Sequence, residues 1–479
     1  MQTSNLIGGE WIRAADGAEL AVHDPATDRV LAQVPRGGAG EAVAAVDAAA
    51  QALPAWRALT AGARGRLLRA LADRMLAQQD QLAALLTAEQ GKPLAEAKGE
   101  IAYAASFIDW AAEEGKRLYG ELIPASAAHR RIMVLRQPVG VCAVITPWNF
   151  PTAMITRKLG PALAAGCTVV IKPAEQTPLS ALAVGQLAHD VGIPPGVINI
   201  VTGDAPAIGD AWLRDPRVRK LSFTGSTEVG RILMAKAATN LTRLSLELGG
   251  HAPFLVFDDA DVELAVAGAM ASKFRNMGQT CICPNRFLVQ AGVYDAFVGR
   301  LQAEVEAMKL GAGDEPGVTV GPLIDDAAVA KVQRHVADAQ AHGGRLRTGG
   351  TVGAPRAGLT NRFFRPTILE DVTSAMLVSQ EETFGPVAAI RRFQTEDEGI
   401  ALANDSPYGL ASYFFTRDAS RLMRVAEALE YGIVGANDGA PSTAQAPFGG
   451  VKHSGFGREG GHHVMHEYVE VKYVSWGVG

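Results

Sequence analysis

Four cysteines, Cys142, Cys167, Cys281 and Cys283, are too few to form a disulfide framework in a chain of 479 residues. None stands in the paired C-x-x-C spacing of a zinc site, so reduced thiols and no metal are expected. No apolar run reaches the roughly 18 residues of a membrane span. The opening stretch MQTSNLIGGEWIRAADG lacks the basic start and apolar core of a secretory signal, so the expected compartment is the cytoplasm. Charge of one sign is also missing: 45 basic against 50 acidic residues leave a net −5, which offers no positive field to a nucleic-acid backbone. What the chain does have is 48% hydrophobic content, enough to fill sizeable cores, in a length that suggests about three domains.

Residues 40–118 carry apolar side chains at helical spacing, among them Leu67, Leu68, Leu71, Met75, Leu82 and Leu85, and read as two or three helices. From 141 the pattern changes to short apolar runs followed by helical stretches: VCAVI, CTVVI, VINIV, LSF and RLSLEL, with helices at 152–165, 178–191, 205–213 and 227–238 between them. Fully apolar runs separated by helices predict parallel strands buried on both faces, hence a doubly wound α/β sheet that binds ligands beyond its carboxyl ends. A second α/β alternation runs through PFLVF (253–257), RFLVQ (286–290), VAAIRRF (387–393), ASYFF (411–415) and GIVGA (432–436). The strand-like segments 122–138 and 463–479 have no partner in either sheet; pairing with each other, they would leave an edge for another subunit.

Gly455-Phe-Gly457-Arg-Glu-Gly460 matches the dinucleotide fingerprint literally, but no apolar strand precedes it and few residues follow, so it reads as a decoy. KLSFTGSTEVGRILM (220–234) is the better phosphate site: a strand, then Gly225 and Ser226, then a helix N-terminus. His462 and His466, four apart, have no third ligand and read as surface residues. Cys142 and Cys167 lie in or beside apolar strands and read as packing residues, whereas Cys281 in GQTCICPNR has a polar setting. A thiolate adds to a carbonyl and needs a base and an oxyanion donor. Glu247, ending RLSLE, and Asn149, in TPWNFP, are candidates for these two tasks.

TPWNFP (146–151), KPAEQTP (172–178), SFTGSTEVG (222–230), LELGG (246–250), GQTC (278–281), EETFGP (381–386) and PFGG (447–450) together resemble the aldehyde dehydrogenase superfamily, across essentially the whole chain. The resemblance implies an NAD-binding domain (1–121 with 139–250), a catalytic domain (251–450) and a β oligomerisation ribbon (122–138 with 460–479) in a homodimer or homotetramer. It implies Cys281 as nucleophile, Asn149 as oxyanion donor and Glu247 as the base for thioester hydrolysis. For NAD, or alternatively NADP, it implies Lys172 and Glu175 at the adenosine ribose, Gly225 and Ser226 at the pyrophosphate, and Glu382 at the nicotinamide ribose. Trp148, Leu248 and Phe384 would wall the site. SKFRNMGQTCICPNR and AMITRKLGPALAAGC are similar to the succinate-semialdehyde dehydrogenase subgroup, in which arginines matching Arg157 and Arg275 hold the distal carboxylate through paired hydrogen bonds.

The chain departs from that subgroup at GAPSTAQAP (439–447), where Ser442 or Thr443 would supply the serine contact. Glutarate and 2-oxoglutarate semialdehydes therefore stand beside succinate semialdehyde as substrates. Cys283 matches a position linked in the subgroup to redox control, through a Cys281–Cys283 disulfide. Rival classes are an acylating dehydrogenase, disfavoured by Glu247; a cysteine hydrolase, for which no histidine signature appears; and a non-enzymatic binding protein of the same fold.

Overall fold

The apolar runs form parallel strands, as the computed structural model of residues 2–478 shows. Val141–Ile145, Thr168–Lys172, Ile198–Ile200, Val218–Thr224 and Arg243–Glu247 lie parallel in one sheet. Their spatial order is 198–200, 168–172, 141–145, 218–224, 243–247, so the crossover helices fall on both faces. Alternate residues feed separate cores: Cys142, Val144, Val169 and Ile171 on one side, Val141, Ala143, Ile145 and Val170 on the other. The sheet is parallel only in its middle. Asn5–Ile7, in a hairpin with Glu10–Ile12, caps one edge antiparallel, and Gly455–Phe456 caps the other beside Leu246 and Glu247.

Four helices rather than two or three fill the N-terminal region: α1 (Ala39–Ala58), α2 (Ala61–Ala77), α3 (Gln79–Gln90) and α4 (Leu94–Glu114). The breaks between α1, α2 and α3 contain no glycine or proline; α2 starts where the Thr60 side chain accepts the Ala63 N–H. Next, α5 (Ala153–Ala165) is buried along its whole length against α4 and the sheet. Three more helices follow in this half of the chain: α6 (Leu179–Asp190), α7 (Ala205–Arg214) and α8 (Thr227–Ala237).

The second sheet has the order 345–348, 367–370, 387–393, 284–290, 252–256, 411–415, 433–436, parallel except for its first strand. The five expected strands are all present, and two short ones at 345–348 and 367–370 extend them. Outside both sheets, Val469–Gly477 pairs antiparallel with Arg130–Pro138, which also pairs with Glu121–Ile123. This ribbon leaves Leu122, Val471, Tyr473 and Trp476 exposed. The fingerprint-like Gly455–Gly460 segment forms the sheet edge and leads only into a 3-10 turn, His463–Tyr468, with His462 and His466 exposed.

Candidate active site

The two sheets meet at opposite ends of their strands. From the first, Lys172, Thr224 and Glu247 close the carboxyl ends of three strands, and Asn149 follows a fourth. From the second come the turns before the strands: Cys281 precedes Pro284–Gln290, and Glu382 and Phe384 precede Val387–Phe393. The carboxyl-end rule holds for the first sheet; the second contributes its amino ends. The backbones touch at Gly250, where a Cβ would stand 2.4 Å from the Cys281 carbonyl oxygen.

A cleft of about 770 Å³ runs along this junction. All eight residues expected at a cofactor line it, Trp148, Lys172, Glu175, Gly225, Ser226, Leu248, Glu382 and Phe384, together with Asn149 and Cys281. Lys172 Nζ lies 2.5 Å from Glu175 Oε1. Ser226 caps α8, its hydroxyl accepting the Val229 N–H at 3.3 Å. The Gly225 N–H donates to the Glu247 carbonyl, so what Gly225 offers a ligand is space rather than a donor; a Cβ there would stand 2.4 Å from the Phe223 ring. Glu382 accepts the Gly250 N–H at 3.1 Å and is pushed up to about 7, mainly by burial. Trp148 and Phe384 meet edge to face with ring centres 5.6 Å apart; Phe384 has φ 55, a left-handed conformation costly for an aromatic residue and held by the surrounding turn. Hydroxyl, carboxylate and helix N-terminus in one extended groove fit the sugars and phosphates of a dinucleotide.

Cys281 is half-buried. Burial pushes its thiol up to about 12, and the charge of Arg157 opposes this only in part. Burial therefore favours the thiol form of Cys281 in the free chain. Asn149 donates from Nδ2 to the Gln279 carbonyl at 3.0 Å, which leaves its second amide hydrogen for another acceptor. Glu247 is buried with neither carboxylate oxygen hydrogen-bonded. Desolvation first, and the neighbouring charge of Glu459 second, raise it well above the usual carboxylate range.

Several buried charges here were missed from sequence. Lys158 donates to Thr224 Oγ1 at 2.6 Å and to Glu459 Oε1. Arg157 Nε lies 2.8 Å from Glu459 Oε2, close enough for an ion pair but poorly aligned for a hydrogen bond. Burial opposes ionisation of Glu459, yet these two cations hold it below the usual range, while Glu247 is raised above it. Lys92 donates to Glu100 at 2.6 Å and to the Asn149 carbonyl at 2.8 Å, while Glu100 accepts the Thr152 and Ala153 N–H groups at the start of α5. Asn276, at φ 50, donates to the same Asn149 carbonyl at 2.9 Å and is tethered by Gln90 and Glu96. Arg157 was expected at the substrate, and the basic residue beside it in the helix AMITRKLGPALAA was the available signal for Lys158; nothing in the sequence marks Glu459.

The residues expected to hold substrate are not drawn into one cavity. Arg157 is buried between the Phe448 and Phe107 rings, 3.8 and 5.3 Å from their centres, and its Nη2 has no hydrogen-bond partner. Ser442 shares a hydrogen bond with Tyr103. Arg275 packs 5.2 Å from the Phe150 ring centre and lines a second cavity of about 690 Å³ with Glu96, Phe274 and Ala440. Cys283 is buried with its sulfur 3.4 Å from Lys273 Nζ, and both it and Cys281 are free thiols.

The aldehyde dehydrogenase family profile matches residues 11–474, and the chain belongs to that family. It is an NAD(P)-dependent aldehyde dehydrogenase. Its relatives include the NADP(+) succinate-semialdehyde dehydrogenase of Escherichia coli, 58% identical over 99% of this chain and 97% of that protein. A glutarate-semialdehyde dehydrogenase of Pseudomonas aeruginosa is 57% identical over 98% and 97%. The crystal structure of a succinate-semialdehyde dehydrogenase from Burkholderia pseudomallei superposes with a TM-score of 0.97 at 56% identity, covering 99% of this chain and 98% of that one.

Proposed function

We propose that this chain oxidises succinate semialdehyde, a short aldehyde with a carboxylate at its far end, to succinate. The observation that carries the substrate class is Arg157: a buried guanidinium with an unpartnered nitrogen, within electrostatic reach of both Cys281 and Glu247. Glu459 already balances the Arg157 charge, but Nη2 remains a buried donor with no acceptor, and a substrate carboxylate is an acceptor that would satisfy it. Arg275 and Ser442 are the further contacts in this reading. Glutarate semialdehyde is the second reading, supported by the 57% identical Pseudomonas aeruginosa relative.

In the reaction the Cys281 thiol gives up its proton to solvent and the resulting thiolate adds to the aldehyde carbon, and the oxyanion of the thiohemiacetal takes hydrogen bonds from the Asn149 amide and the Cys281 N–H. Bound NAD(P) supplies the two-electron oxidation, as a hydride acceptor. Cys281 then holds a thioester, and Glu247, once ionised, takes a proton from the water that hydrolyses it. Residues 1–121 with 139–250 serve the cofactor, and 251–450 carry the nucleophile. Glu175 beside Lys172 favours NAD, because its carboxylate would repel a 2′-phosphate, in contrast to the NADP(+) named for the Escherichia coli relative. The exposed apolar residues of the ribbon 122–138 with 460–479 support a homo-oligomer, and no helix among the described residues is long and apolar enough to cross a membrane. We place the enzyme in the cytoplasm.

The test is kcat/KM for succinate, glutarate and 2-oxoglutarate semialdehydes beside butanal, with the parent, Arg275→Ala and Arg157→Lys. A preference for one acid aldehyde that both variants lose selectively supports the reading. Equal rates with butanal would remove it and leave the aldehyde chemistry in place.

A further inference from the structure

The substrate reading leaves one side chain without a role. Tyr103 stands in α4, away from the cofactor cleft, in none of the segments that resemble the family. Its hydroxyl shares a short hydrogen bond with Ser442 Oγ across 339 residues of sequence. Its ring meets Phe107 edge to face at 4.9 Å, and Phe107 is one of the two rings against the Arg157 guanidinium. Arg157 in turn lies within electrostatic reach of Glu459, Tyr103, Cys281 and Glu247. Tyr103 therefore touches Ser442 and borders Arg157, two of the three groups expected to hold the distal carboxylate.

We infer that Tyr103 is a positioning residue for recognition of the substrate carboxylate: it fixes the Ser442 hydroxyl so that its hydrogen is presented to the ligand. This rests on the carboxy-aldehyde reading above. A serine hydroxyl has one hydrogen and rotates freely about its C–O bond. When the phenol donates to Ser442 Oγ, that rotor loses its freedom and its one hydrogen is left for an incoming acceptor. A carboxylate is the acceptor that profits most, because a hydrogen bond to a charged group is about twice as strong as one to a neutral group. A substrate lacking the far carboxylate gains nothing from the arrangement. The Phe107 ring, held between Tyr103 and Arg157, keeps the hydroxyl pair and the guanidinium in fixed relation. Ser442 alone would be a poor selector, since an unrestrained hydroxyl on a half-buried loop has other acceptors to choose from.

The experiment is a double-mutant cycle on the full-length enzyme, with Tyr103→Phe, Ser442→Ala and both together, measuring kcat and KM separately for succinate semialdehyde and for butanal. Tyr103→Phe removes one oxygen and keeps the ring against Phe107. The expected loss in kcat/KM for succinate semialdehyde is on the order of 3- to 10-fold, carried by KM, with a change of no more than about twofold for butanal. Adding Tyr103→Phe to Ser442→Ala should then cost little more, because the two act as one unit. Equal losses for both aldehydes would mean that Tyr103 only supports the fold, and the inference would fall. Fully additive losses would show that Tyr103 acts independently of Ser442, which also overturns it. A parent enzyme that does not prefer succinate semialdehyde to butanal would remove the substrate reading and this inference together, whereas a selective parent with an unaffected Tyr103→Phe variant removes this inference alone.

Discussion

Replacing Glu247 by glutamine should weaken the enzyme's turnover and strengthen its fold, and the two effects have one cause. The Glu247 carboxyl is buried, neither oxygen is hydrogen-bonded, and desolvation together with the Glu459 charge raises it well above the usual carboxylate range. A group whose folded value lies above its unfolded value binds more protons in the native state. Stability is then complete below the unfolded value, 4.5, and falls as pH rises from there through the raised folded value. Glutamine does not titrate, so the Glu247→Gln variant and the parent should unfold with equal free energy near pH 4. By pH 8 the variant should be the more stable, by about 1.4 kcal/mol for every pH unit by which the folded value of Glu247 exceeds 4.5. Denaturant unfolding at the two pH values measures this. Loss of a positioned base should lower steady-state kcat by roughly 10²- to 10⁴-fold. A pre-steady-state burst of one reduced cofactor per site should survive, because the base acts after the oxidation. A variant no more stable at pH 8 than at pH 4, relative to the parent, would refute the burial argument, and a lost burst would refute the assignment of Glu247 to hydrolysis.

Three further outcomes follow from the same geometry. Asn149→Ala removes an oxyanion donor and should lower kcat by about 10²- to 10³-fold and abolish the fast burst, as read by stopped-flow absorbance. The Glu175 carboxylate is partly exposed, so its repulsion of a 2′-phosphate is screened; NAD should exceed NADP in kcat/KM by on the order of 5- to 10-fold, and Glu175→Ser should narrow the ratio. If Cys283 forms the regulatory disulfide with Cys281, dithiothreitol should restore the peroxide-treated parent fully and Cys283→Ala only in part; equal recovery would sever the link.

Both large sheets were legible because strands buried on two faces must be apolar throughout, and VCAVI, CTVVI, PFLVF and ASYFF have that composition. The strands at 5–12 and 345–348 were not, being only three or four residues long and lying at or next to a sheet edge, where no continuous apolar run is required. The helix count in 40–118 was low because α2 and α3 adjoin at Gln78 without a glycine or proline to mark the break. Cys281, Asn149 and Glu247 stand out in the sequence because each is a reactive side chain beside a strand end or glycine turn. Lys92, Glu100, Lys158 and Glu459 were not, because a lone charge in a helix or loop reads as solvated, and only the fold shows that these charges neutralise one another in the interior. Tyr103 was invisible for a similar reason, as its partner lies 339 residues away.

The most direct test of the account is to quench the Glu247→Gln variant with acid during turnover of succinate semialdehyde and NAD, and to locate the bound acyl group by peptide fragmentation that separates Cys281 from Cys283. A succinyl thioester on Cys281, at close to one per burst equivalent, is the predicted result. An acyl group on another residue, or a full burst with no acyl group on the protein, would contradict it.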